Sequence, residues 1–175
     1  MFIAHLPAGY LATRFVLRRH PAPEPLRRGL MALGMAASVL PDLDLLWFYF
    51  VDERRQVHHA YLPHLPLFCL AVFGVAALVL RLRGAGRTAW LAMMVLAVNV
   101  MLHQVLDTVA GGIRWLWPFS RAELVLAHVP ARHDAWVLNF VLHWSFGLEL
   151  VILAAALAVG WSARRHPPGA ARVPR

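Results

Sequence analysis

A chain of 175 residues is long enough for one domain, but 60% of it is hydrophobic and only 15% charged, against about 25% charged in a typical soluble domain. A soluble fold of this size cannot hide so much apolar surface, so lipid is expected as the solvent for much of it. Every basic residue is an arginine and the formal net charge is +8; because the arginines flank apolar segments, they read as membrane topology signals rather than as a nucleic-acid surface.

In chain order, five apolar segments approach the length of about 20 residues that a spanning helix needs: residues 2–17, 29–50, 61–80, 89–110 and 135–161. The first lacks a basic stretch before it and carries Arg18 and Arg19 after it, so it reads as a retained helix, not a cleaved signal. His20 to Pro25 is a stiff proline turn. Residues 51–59 form a short polar loop, 81–88 a glycine- and arginine-rich turn, and 111–134 the longest connection. One membrane-embedded domain over 1–161 is expected, followed by a polar, disordered cytoplasmic tail over 162–175. The single cysteine, Cys69, leaves no internal disulfide and no cysteine-based zinc cluster.

The expected fold is therefore all-α, a polytopic membrane bundle of about five transmembrane helices. Arg18, Arg19, Arg27, Arg28, Arg81, Arg83, Arg87, Arg164, Arg165, Arg172 and Arg175 gather on one side. Arg54, Arg55, Arg114, Arg121 and Arg132 lie on the other, diluted by acids. The positive-inside rule places the N-terminus outside and the C-terminus inside.

Ionisable groups within lipid cost about 2.5–3.5 kcal/mol each on insertion scales, so they are expected to be paired, metal-bound or water-facing. His5 sits near the outer end of the first segment. Asp42 and Asp44 follow Pro41, which opens the second helix. His58, His59 and His64 bracket the start of the third. His103 and Asp107 share one face of the fourth at i and i+4, with Asn99 a turn earlier. His128, His133, His143 and Glu149 are polar as well, with no assigned role. Imidazole and carboxylate donors suit zinc, manganese or iron better than calcium, with zinc first and room for one or two ions. The donor set expected is His5, Asp42, Asp44, His59, His64, His103 and Asp107, Asp44 being either a further ligand or the general base.

The ordered set His5, Pro41-Asp42-Leu43-Asp44, His58-His59 with His64, His103-Gln104-Val105-Leu106-Asp107, Gly112 and Trp117-Pro118-Phe119-Ser120 resembles the membrane-bound metal-dependent hydrolases of the YdjM-like, LexA-regulated type. The resemblance covers about residues 1–120. Ala60 and Pro63 stand where that family often has arginine and threonine. The family is in turn distantly similar to zinc-dependent phospholipase C. The resemblance implies an inner-membrane, multi-pass hydrolase whose activated water attacks a phosphoester or ester, of a lipid or lipid-linked phosphate at the outer face. Two alternatives remain open: a metal-ion or proton transporter, and a non-enzymatic membrane subunit. No nucleic-acid partner is expected, and the oligomeric state is left open.

Overall fold

The computed structural model of the chain describes residues 3–165. Its helices are α1 (His5–Arg19), α2 (Glu24–Ala37), α3 (Asp44–Phe50), α4 (Pro66–Leu82), α5 (Arg87–Asp107), α6 (Trp136–Val141) and α7 (Trp144–Arg165). Single 3-10 turns at Pro41–Leu43, His58–Ala60 and Leu62–His64 lie in the connections. Among the described residues the extended pairing is limited to one isolated bridge, Ile113 with Leu124.

Prolines set most of the boundaries. Pro21 forces His20 out of the helical region, to φ −127° and ψ 77°, and α1 ends there. Pro25 and Pro66 fall in the first turns of α2 and α4, where a missing N–H leaves no bond broken. Pro41 has the opposite effect. Lacking an N–H and crowding the preceding turn, it splits the segment expected to be one helix over 29–50. The chain leaves α2, passes through a 3-10 turn and restarts as α3, bent by 52°. The last expected segment is also split, at Leu142 and His143, into α6 and α7. α7 then runs to Arg165, past the expected end at 161. Residues 166–175, on which the expectation of a disordered tail falls, lie outside the described residues.

α1, α2 and α5 pack against one another, α4 packs on α5, and α7 on α1. Val16, Leu17, Leu30, Leu91 and Val95 form the apolar core of the three-helix junction. Two glycines bring α1 and α2 together: a Cβ at Gly34 would overlap Thr13, and one at Gly9 would overlap Ser38. In lipid, where apolar side chains gain nothing by leaving the solvent, such close backbone approach is what holds helices together. Asn99 locks the junction from α5, its Nδ2 donating to Thr13 Oγ1 at 2.9 Å and to the Val95 carbonyl at 2.8 Å.

By length and composition, α5 and α7 can each cross a bilayer, and α2 with α3 makes a third, broken span. α1 has 15 residues and α4 has 17, about 22 and 25 Å at 1.5 Å per residue, short of a hydrocarbon core of about 30 Å. Among the described residues, two or three spans are thus long and apolar enough to cross a bilayer on their own, where five were expected. Leu70, Val75 and Leu78 on α4 and Val151 and Leu157 on α7 are exposed. Apolar surface of that extent belongs in lipid.

Candidate metal centre

The polar residues meet at one end of the bundle. His5 opens α1, whose first turn is tied to α7: the buried Glu149 carboxylate accepts the backbone N–H of Ile3, and that of Ala4 at 3.1 Å. An anionic acceptor at a helix N-terminus satisfies free donors and complements the dipole. Asp42 sits in the 3-10 turn opened by Pro41, and Asp44 begins α3. Both thus occupy the bend instead of facing lipid from an unbroken helix. His103 and Asp107 lie one turn apart on α5, with Nε2 3.0 Å from Oδ2.

His64 is carried in by the 3-10 turn that precedes α4. Gln104 pins that turn, its Nε2 donating to the Pro63 carbonyl and to Cys69 Sγ, each at 3.1 Å. His59 reaches the same place from the loop, and Gly111 makes room for it: a Cβ at Gly111 would overlap the His59 ring.

The distances around the centre are short. Asp107 Oδ1 is 3.1 Å from His5 Nε2, and its Oδ2 is 3.6 Å from His64 Nε2 and 3.7 Å from His59 Nε2. Asp42 Oδ1 lies 3.5 to 3.7 Å from Nε2 of His58, His64 and His103. The His5 and His103 rings stack with centroids 3.9 Å apart. Asp42, His64, His103 and Asp107 each offer one atom to a group lying within 4.8 Å of one another, and His58, His59 and His64 form a second group sharing His64.

Hydrogen bonding at the outer ring nitrogens determines which atoms face inward. His103 Nδ1 is 2.8 Å from the Ser38 carbonyl, an acceptor, so Nδ1 carries the hydrogen. His64 Nδ1 is 2.7 Å from Asp44 Oδ2, which fixes it in the same way. In the neutral rings both Nε2 atoms then present lone pairs, and they stand 3.2 Å apart. Asp42 and Asp107 add carboxylate oxygens to the same space. Four electron-pair donors facing one another repel unless a proton or a cation lies between them, and backing of ring nitrogens by carbonyl or carboxylate is what metal-binding histidines use.

The connecting loop shows the same demand for positive charge. Burial would lower His64, but hydrogen bonds to Asp107, Asp42 and Asp44 outweigh it and raise its pKa to about 11. Burial prevails at His59, where the nearest carboxylate oxygen is 3.7 Å away, and its pKa falls to about 4.

All seven expected donors, His5, Asp42, Asp44, His59, His64, His103 and Asp107, converge here. Asp44 stands one layer back. Its Oδ2 holds His64 Nδ1 and its Oδ1 lies 3.1 Å from His58 Nδ1, so it orients two rings and is not among the grouped donor atoms. His58, with no role assigned from the sequence, joins the cluster. The roles of Ser38 and Gln104 were missed; an amide between His103 and Asp107 in an apolar helix is a signal that could have marked Gln104. His128 and His133 are exposed. His143 turns to Ser145 Oγ at 2.8 Å in the break before α7.

A family model described as YdjM inner membrane protein matches residues 1–167. The chain belongs to the YdjM inner membrane protein family. The match runs through α6 and α7, so the family likeness extends well past residue 120, where the sequence motifs end. No curated protein and no solved structure matches the chain.

Proposed function

We propose that this YdjM-family chain is a metal-dependent hydrolase of the membrane surface. The observation that carries the reading is the pair of opposed Nε2 atoms of His64 and His103, 3.2 Å apart with two carboxylates beside them. The residues fit a divalent metal of the zinc, manganese or iron type: nitrogen and oxygen donors, fixed tautomers and outer partners. Asp42, His64, His103 and Asp107 would hold one ion, with His5 and His59 as further donors and His58 at the edge of a second position. When bound, the ion supplies Lewis acidity and lowers the pKa of a coordinated water toward about 7.

The protein groups divide the remaining work. His5, His64, His103 and Asp107 are the buried floor. Asp42, His58 and His59 have side chains 31%, 20% and 19% exposed and form the open side. Both carboxylate oxygens of Asp44 face imidazoles, so Asp44 acts as an orienting group for His58 and His64 rather than as the base expected of it. The substrate is a phosphoester or ester, cleaved by water: a bond forms from the water oxygen to phosphorus or acyl carbon, the bond to the alcohol oxygen breaks, and the proton that the water loses leaves with the alcohol. Lipid-borne substrates suit the surroundings: α3 runs from Asp44 to Trp47 and Phe50, and Phe50 is 80% exposed.

The test is metal analysis of purified protein beside a His103→Ala, Asp107→Ala double variant. Wild type is expected to retain about one ion or more per chain and the variant to lose it, together with hydrolysis of a phospholipid panel. Equal metal content in both defeats the reading. Bound metal without hydrolysis of any ester, but with flux into liposomes, favours a transporter.

The same reading includes five helices in the bilayer, with the N-terminus and the cluster at the outer face of the inner membrane, α1 and α4 penetrating as the shorter pair. In a Cys69→Ala background, an impermeant thiol reagent applied to spheroplasts is expected to label Arg54→Cys and to spare Arg83→Cys. The reverse pattern inverts the topology.

A further inference from the structure

A cleft of about 910 Å³ runs along α1 between α2 and α7, from Leu6, next in the chain to His5, to Arg14. That volume lies in the range of ligand sites, about 300–1,000 Å³. Its long wall is apolar, formed by Leu6 and Tyr10 of α1 and by Leu153, Leu157 and Trp161 of α7. Its far end is basic: Arg14, Arg27 and Arg164 all line it. Arg14 lies nine residues beyond His5 on α1, about 13 Å along the helix axis, so this charged end is remote from the cluster.

Arg14 is the informative residue. Its Nε is buried and makes no hydrogen bond, and Nη1 donates only a long 3.4 Å bond to Tyr10 Oη. A guanidinium at membrane depth is kept where it meets an anion or water. The carboxylate near this end is Glu24, whose oxygens are taken by Arg27 at 3.2 Å and Arg28 at 3.0 Å. Glu24 is itself exposed, and the buried carboxylates among the described residues, Asp44, Asp107 and Glu149, belong to the opposite end. Among the described residues, positive charge is thus left unmatched at the end of an apolar groove.

We infer that this cleft binds one anionic phospholipid, with an acyl chain along α1 and α7 and its phosphate between Arg14 and Arg164. The shape is apolar and elongated, which fits a chain. The end offers guanidinium donors, which fit phosphate oxygens through charge-assisted bonds. The site is separate from the proposed hydrolytic centre and does not depend on it.

The full chain in detergent is titrated with phosphatidylglycerol and with phosphatidylcholine of the same acyl chains, and retained lipid is read by native mass spectrometry. Wild type is expected to retain the anionic lipid about tenfold better. Arg14→Gln with Arg164→Gln is expected to remove that preference, whereas Arg81→Gln with Arg83→Gln, the same charge loss elsewhere, leaves it. Arg164→Gln alone, at an exposed position, is expected to weaken it and covers the chance that the Arg14 variant fails to fold. Gly160→Leu tests the groove: a Cβ there lies 3.6 Å from Tyr10 Oη, so the backbone accepts a side chain that fills the cleft, and both lipids are expected to be lost. Equal retention of the two lipids by wild type, an unchanged preference in Arg164→Gln and the double variant, or displacement of the lipid by inorganic phosphate overturns the inference. Metal content is measured on every sample; it is expected to stay at the wild-type value, so loss of lipid and loss of metal are read separately.

Discussion

At the scale of single residues, the site depends as much on what is absent as on what is present. Gly111 carries no Cβ, and the His59 ring occupies the space one would fill. Gly111→Ala is expected to push His59 from the cluster, cost about 1–3 kcal/mol as overpacking, and weaken metal retention while leaving His103 and Asp107 in place. Thermal melting and metal competition measure the two effects, and a wild-type result in both rejects this role for Gly111. Ser38 contributes through its carbonyl, so its side chain says nothing of that function. Asp44 illustrates the reverse case: the sequence marks it as an acid near the site, but only its distances to His58 and His64 make it an orienting group.

At the scale of elements, each helix end that serves the site is anchored by a different helix. α1 is held at its start by Glu149 of α7, from more than a hundred residues away. Glu149→Leu is expected to leave two backbone donors at the head of α1 without their acceptor, at about 1–3 kcal/mol each when buried, and to loosen His5. Glu149→Gln keeps an acceptor and loses mainly the charge–dipole part, about 0.3–1 kcal/mol. Metal retention in the order wild type, Gln, Leu checks this; indifference to both changes removes Glu149 from the account of the site. The bend at Pro41 works similarly, converting a would-be straight span into a turn that delivers Asp42 and Asp44. Legibility followed the elements. The apolar runs that became α4 and α5 could be read from composition, since their boundaries are set by proline, glycine and arginine. The opening at Pro41 was legible from the proline, though not its 52° bend; the break at Leu142 and His143 carries no proline or glycine and was not, because local backbone geometry decides it.

At the scale of the whole molecule, the cluster ties together α1, the Pro41 bend, the loop before α4 and the end of α5. A ligand that binds the folded state alone stabilises it by RT ln(1 + [L]/Kd), about 2.7 kcal/mol at a hundredfold excess over Kd. Chelation is therefore expected to lower the melting temperature of the wild type and to leave the His103→Ala, Asp107→Ala variant unmoved. Equal shifts in both point to the chelator acting elsewhere.

The sequence alone determined that this chain lives in lipid and is built of helices, because those properties follow from composition and from the spacing of apolar runs, which are local. It also marked seven residues as polar where polarity is costly. It could not decide which of them touch, which nitrogen of each ring faces inward, or that Asp44 stands behind His58 and His64. Those outcomes depend on helix packing through Gly9 and Gly34 and on hydrogen bonds between residues far apart in the chain, such as His103 with the Ser38 carbonyl, and interactions at that range exist only once the tertiary fold has formed.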